Sequence, residues 1–233
     1  MLSRNKLKII AVIAMLLDHV GWMFFGADHP AGFVMRVIGR LAAPVMCMFL
    51  AQGYEHTSSV KKYAVRLLIF GLISQPFYAF SHGSGILTAD FNMILTLFLS
   101  FLILIIYDKM DNEFLKFVLI AVCFAFSYFC DWGIIAPLWV LGFYIYRENK
   151  EKQTAMFLIV SVVYIISCVL SGFRDGLSWY SQLWQAGLFL FVPLIFLYNG
   201  EGGRKSAFAK WFFYLFYPLH LGALELINRC VSR

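Results

Sequence analysis

Apolar runs of bilayer length follow one another through almost all of this sequence. They cover residues 7–25, 32–54, 63–81, 91–107, 114–130, 133–147, 154–172, 179–198 and 211–228. About 20 apolar residues of helix cross the hydrocarbon core of a membrane. Inside that core each segment must satisfy its own backbone N–H and C=O groups, which favours helices. The chain is therefore expected to be all-α, a polytopic transmembrane helical bundle of about nine spans. The run 133–147 is short and 91–107 needs snug ends, so eight to ten spans fit the pattern. Composition agrees: 14% of residues are charged, where soluble domains hold about 25%. No internal repeat or low-complexity segment interrupts the pattern, and residues 1–233 read as a single integral-membrane domain.

The cations set the orientation. With the N-terminus inside, the inner segments hold Arg4, Lys6, Lys8, Lys61, Lys62, Arg66, Lys109, Lys116, Arg147, Lys150, Lys152, Arg204, Lys205 and Lys210. The outer side keeps Arg36, Arg40, Arg174, Arg229 and Arg233. This bias predicts an N-in topology, and nine spans then put the C-terminus outside. The net charge of +6 is thus a feature of topology, and the expected partner is the lipid bilayer rather than a nucleic acid. The loops are too short to house a soluble domain, so any chemistry occurs in or at the membrane. The five cysteines have no CxxC spacing and behave as small hydrophobes. No metal site is expected.

Against this apolar background a few polar residues need a reason. Asp18 and His19 lie side by side past the middle of the first run. A charge at such depth costs about 2.5–3.5 kcal/mol on insertion scales. One explanation is structural: Asp18 pairs with an arginine and His19 bonds a backbone carbonyl. The other is chemical: His19 acts as a general base or nucleophile, since its pKa lies near neutrality. Lys8 precedes His19 by eleven residues. That is three helical turns plus about 20°, so both lie on one face, roughly 16 Å apart along the axis. A cation at the inner mouth and an imidazole deeper in the membrane suggest a lined path.

Arg36 and Arg40 are at i and i+4 in the outer half of the second run, at the depth of Asp18. An Arg–Asp pair there would neutralise charge that is otherwise expensive to bury. Arg36 also fits a snorkelling interfacial side chain. Gln75 and Asn92 are amides suited to bonding between helices. Pro218 predicts a kink near His220, which is either packing or a site wall. Lys8 and Arg66 lie inward, where cations beside a path would hold the phosphates of an anionic cofactor. Arg36 is counted with them as a candidate cofactor-binding cation.

The segments KIIAVIAMLLDHVG, RVIGRLAAPVMCMFLAQGYEHT, YAVRLLIFGLISQPFY, FNMILTL, WGIIAPLWVLGFYIYR and FYLFYPLHL resemble the TraX family, in that family's order and over nearly the whole chain. TraX proteins are membrane proteins linked to N-terminal acetylation of conjugative pilin. They are similar to the larger acyltransferase-3 group of O-acetyltransferases, whose first span carries Arg or Lys, ten residues, then His. Lys8 and His19 match that spacing. The resemblance implies acetyl-CoA as acyl donor and transfer to an acceptor at or beyond a bacterial cytoplasmic membrane. It makes His19 the catalytic candidate, with Asp18, Arg40, Arg66, Asn92 and His220 at matched polar positions. Lys8 keeps the charge of the commoner arginine but loses its two-pronged phosphate geometry.

The expected function is therefore a membrane-embedded acyltransferase. It would move an acetyl group from cytosolic acetyl-CoA to an amine or hydroxyl on a peptide N-terminus, a glycan or a small molecule. His19 would serve as base or acyl carrier, with Arg40 or Asn92 stabilising the oxyanion. The competing expectations are a proton-coupled transporter using Asp18, His19 and Arg40 as a relay, and an assembly factor with structural ion pairs alone.

Overall fold

Helices occupy all of the apolar runs in the computed structural model of the protein, which describes residues 1–26, 29–86, 89–200 and 207–231. Arg204, Lys205, Arg233 and the side chain of Lys210 lie outside the described residues. The helices are α1 (Arg4–Val20), α2 (Pro30–Gly39), α3 (Ala42–Glu55), α4 (Val60–Ser81), α5 (Met93–Lys109), α6 (Glu113–Ser127), α7 (Ile135–Ile145), α8 (Lys150–Arg174), α9 (Phe191–Leu197) and α10 (Ala207–Val231). Two isolated bridges are the only β-pairings among the described residues. Among the described residues, five segments are long and apolar enough to cross a membrane: Arg4–Phe25, Pro30–Glu55, Val60–Ser81, Lys150–Arg174 and Trp179–Leu197. Helices α5, α6 and α7 are shorter, at 17, 15 and 11 residues.

The outward faces are those of a lipid-facing protein. On α8, Ile159, Val163, Ile166 and Leu170 recur at helical spacing and are all more than half exposed. An aqueous helix would carry polar residues on that face.

Three runs depart from a simple α-helix. The first ends in a π-turn over Gly21–Phe25, closed by Gly26 donating to the carbonyl of Gly21 at 3.0 Å. Gly26 has φ +72°, a conformation that glycine adopts without penalty. The second run is broken at Arg40 and Leu41, between α2 and α3. Pro44 is the reason: it has no N–H for the carbonyl of Arg40 four residues back, and its ring crowds that carbonyl. The eighth run opens as a 3-10 helix over Trp179–Leu190 and becomes α-helical only at Phe191. A 3-10 stretch of that length is uncommon and marks strain or function.

The described residues divide into two compact units. The first holds Met1–Met46, Asn149–Phe213 and Ala223–Arg233. There α1 packs on α2, and the 3-10 helix packs on α2 and α8. A β-carbon on Gly187 would collide with the backbone of Val37, so glycine allows this close approach. The start of the chain is tied to the end of α9: Leu2 donates to Leu197 at 2.8 Å, and Asn199 donates to Leu2 at 3.1 Å. The second unit holds Cys47–Glu148 and Tyr214–Gly222. Its centre is α5, packed against α4, α6 and α7, around fully buried Phe101, Ile103, Leu104, Trp139 and Phe143.

Candidate functional site

In the first unit, Asp18 of α1 and Arg40 at the end of α2 form an ion pair, with Nη2 of Arg40 donating to Oδ2 of Asp18. Arg40 is buried and Asp18 half-buried. The break before α3 puts Arg40 at a helix end rather than inside a continuous helix. Gly39 makes room for the carboxylate, because a β-carbon there would overlap Asp18.

Arg36 of α2 and Arg40 just past its end lie against one indole. The guanidinium carbon of Arg36 is 3.4 Å from the ring centroid of Trp184, and that of Arg40 is 4.6 Å away. Trp184 belongs to the 3-10 helix and is buried. Its neighbour Gln185 is also buried and reaches toward α8, with Nε2 at 3.4 Å from the hydroxyl of Tyr164. Cys168 Sγ is 3.8 Å from the same nitrogen.

His19 is half-buried, and its Nδ1 lies 2.8 Å from the carbonyl of Met15. A carbonyl only accepts, so Nδ1 is the donor and carries the proton. In the neutral ring the lone pair is then on Nε2. Lys8, three turns earlier on α1, places its ammonium 4.8 Å from the centroid of Phe213. This unit therefore holds Lys8, Asp18, His19, Arg36 and Arg40 of the predicted site residues.

The other three lie in the second unit. Asn92 caps α5: its Oδ1 accepts from Ile94 at 3.0 Å and from Leu95 at 3.4 Å. Its Nδ2 donates to the carbonyl of Gly71 at 2.8 Å and to Oε1 of Gln75 at 2.7 Å. Two donors and two lone pairs are all engaged, so Asn92 ties α4 to the start of α5. Gln75 completes the link by donating to the carbonyl of Asp90 at 2.9 Å. Arg66 donates from Nε to the hydroxyl of Tyr214 at 3.0 Å and stacks near Tyr63. His220 is buried. It donates from Nδ1 to the carbonyl of Phe216 at 2.7 Å and lies parallel to that ring at 4.7 Å. Helix α10 continues through Pro218.

A model of the TraX protein family matches residues 3–228. The chain belongs to the TraX family. It is 35% identical over 232 residues to a probable fimbrial assembly protein, FimC of serogroup H1, from Dichelobacter nodosus, covering 95% of this chain and 94% of that one. It is 27% identical over 164 residues to an uncharacterized protein, RP591, of Rickettsia prowazekii (strain Madrid E), covering 67% of this chain and 61% of that one. No solved structure matches.

The sequence reading of this TraX-family chain did not single out Trp184 and Gln185. A signal was present: Gln182 and Gln185 are amides inside an apolar run, beside Trp184 and Gly187. Only the packing of the 3-10 helix reveals that Trp184 meets the arginines and that Gln185 reaches α8.

Proposed function

We propose that this TraX-family protein is a membrane-embedded acyltransferase. It moves an acyl group, most simply acetyl, from coenzyme A to an amine or hydroxyl. The observation that carries this reading is the arrangement on α1. His19 is held by Met15 with its basic nitrogen defined, next in sequence to the Asp18–Arg40 pair, on the helix that bears the Lys8–His19 spacing. Nε2 of His19 takes the proton of the acceptor nucleophile as that atom attacks the thioester carbonyl. The new N–C or O–C bond forms, the C–S bond breaks, and the proton passes to the thiol. Arg40, fixed by Asp18, supplies positive charge for the carbonyl oxygen as it becomes anionic.

Lys8 suits the anionic end of the donor. Its ammonium is half-buried against Phe213, roughly 16 Å from His19 along the axis, a span that a pantetheine arm covers. The positive-inside bias supports a bacterial cytoplasmic membrane with the N-terminus in the cytosol and about nine spans. The name of the Dichelobacter relative, a fimbrial assembly protein, favours an exported peptide as acceptor. A proton-coupled carrier is the second reading, favoured by an ion pair adjoining a histidine inside a membrane span. Titration calorimetry of purified protein with acetyl-CoA tests the choice. Saturable binding that is weakened in Lys8→Ala supports the acyltransferase; a well-folded preparation that does not bind acetyl-CoA removes it.

A further inference from the structure

Two guanidiniums and one carboxylate meet at the α2 end of the first unit. Arg40 has Asp18 as counter-charge. Arg36 has no ion pair among the described residues, yet it is half-buried in a membrane-spanning segment. Guanidinium keeps its proton at neutral pH, so the group Asp18–Arg36–Arg40 carries one net positive charge. Leaving it uncompensated is costly in such surroundings.

The donors point to the same conclusion. Nε of Arg36 and Nε1 of Trp184 are both buried with no hydrogen-bond acceptor among the described residues. Trp184 itself is only 5% exposed. At 3.4 Å from the ring centroid, van der Waals contact requires the Arg36 guanidinium to lie flat on the indole. Its N–H groups then project from the edge of the stack, the geometry with which arginine grips an oxyanion.

We propose that Arg36, Trp184 and Arg40 bind an oxyanion, a carboxylate or phosphate, carried by the acceptor close to its nucleophile. The word acceptor rests on the acyltransferase reading; the anion site does not. Depth separates this anion from the donor's phosphates. Arg40 is paired with Asp18, next to His19, whereas Lys8 lies ten residues earlier, roughly 15 Å away along α1. A donor whose phosphates sit at Lys8 brings its thioester toward His19, and the Arg36 site then faces the group being acylated.

The test uses purified protein in phosphatidylcholine nanodiscs, with inorganic phosphate as probe against chloride at constant ionic strength. Phosphate is expected to raise the Tm of the wild type and of Lys8→Ala by about 2–4 °C. The shift disappears in Arg36→Gln and shrinks in Trp184→Phe, which keeps a ring for stacking but has no N–H. Acetyl-CoA affinity, measured in parallel, stays within twofold of wild type in Arg36→Gln. An equal phosphate shift in wild type and Arg36→Gln overturns the site. A fall in acetyl-CoA affinity in Arg36→Gln as large as in Lys8→Ala assigns Arg36 to the donor and overturns the acceptor assignment. Loss of the phosphate shift in nanodiscs containing phosphatidylglycerol identifies a lipid headgroup as the occupant, also against the acceptor. If the wild type shows the phosphate shift but no acetyl-CoA binding, the acyltransferase reading fails and takes the acceptor with it, while the oxyanion site stands.

Discussion

Gly39 lies so close to Asp18 that no β-carbon fits between them. The contact brings the carboxylate of α1 to the end of α2, where Arg40 meets it. Gly39→Ala is therefore expected to push the helices apart and destabilise the protein by about 2 kcal/mol, the scale of overpacking. In an Asp18→Ala background the penalty should shrink without vanishing, because the carboxyl atoms that the new methyl meets are gone while the β-carbon of residue 18 remains. Thermal unfolding of the four proteins in this cycle reads the coupling. Equal penalties in both backgrounds would contradict the link between Gly39 and the ion pair.

Asn92 is expected to matter through stability. Asn92→Ala leaves the carbonyl of Gly71, Oε1 of Gln75 and the amides of Ile94 and Leu95 without these bonds. Oε1 of Gln75 and the amide of Leu95 keep main-chain partners in residue 92; buried groups left without a partner cost about 1–3 kcal/mol each, so a loss of roughly 3 kcal/mol is expected. Asn92→Asp keeps the cap but loses both donors, and should also be destabilised. Any variant that folds at the wild-type Tm contradicts this account.

Lys8 is predicted to act on donor affinity rather than on the chemical step. Lys8→Ala should raise the KM for acetyl-CoA roughly tenfold, equivalent to about 1.4 kcal/mol, with kcat largely kept. Lys8→Arg should restore KM, since arginine grips phosphate at least as well. A drop in kcat with unchanged KM would move Lys8 away from the donor's anionic end.

His82, just past the end of α4, gives a pH signature outside the spans. Its ring lies tilted against that of Tyr78 with centroids 4.1 Å apart, and Nδ1 donates to the carbonyl of Tyr78 at 2.9 Å. Lost hydration on the covered face outweighs that bond and pulls its pKa below the ordinary histidine value of 6.5. The folded protein therefore favours the neutral ring. Above pH 6.5 both states are neutral and the residue adds no pH dependence. As pH falls through 6.5 the unfolded chain takes the proton first, and stability declines until the folded pKa is passed. The Tm should fall less between pH 7.5 and 5 in His82→Asn than in wild type; identical slopes would remove the effect.

Much of this was legible from the residues themselves. The apolar runs marked the helices in order, and the shared depth of Asp18, Arg36 and Arg40 suggested an Arg–Asp pair while leaving open which arginine makes it. Gln75 and Asn92 were readable as amides joining helices. The break at Arg40 was encoded in Pro44, but the long apolar run 32–54 masks one missing N–H. The 3-10 form of Trp179–Leu190 and the close approach of its Gly187 to Val37 were not readable, because an apolar run carries no mark of either. For that reason the partner of Arg36, an indole from a distant segment, emerged only from packing. Local pattern carries the helices; the contacts between helices carry the site.

The most direct test of the central claim is thiol release from acetyl-CoA by purified protein, for wild type and for a His19→Ala variant with wild-type Tm. The account predicts slow hydrolysis by wild type and a loss of about 100-fold or more without the imidazole, the scale of general-base catalysis. Equal thiol release by the two proteins, or none by either with donor bound, would contradict a catalytic role for His19.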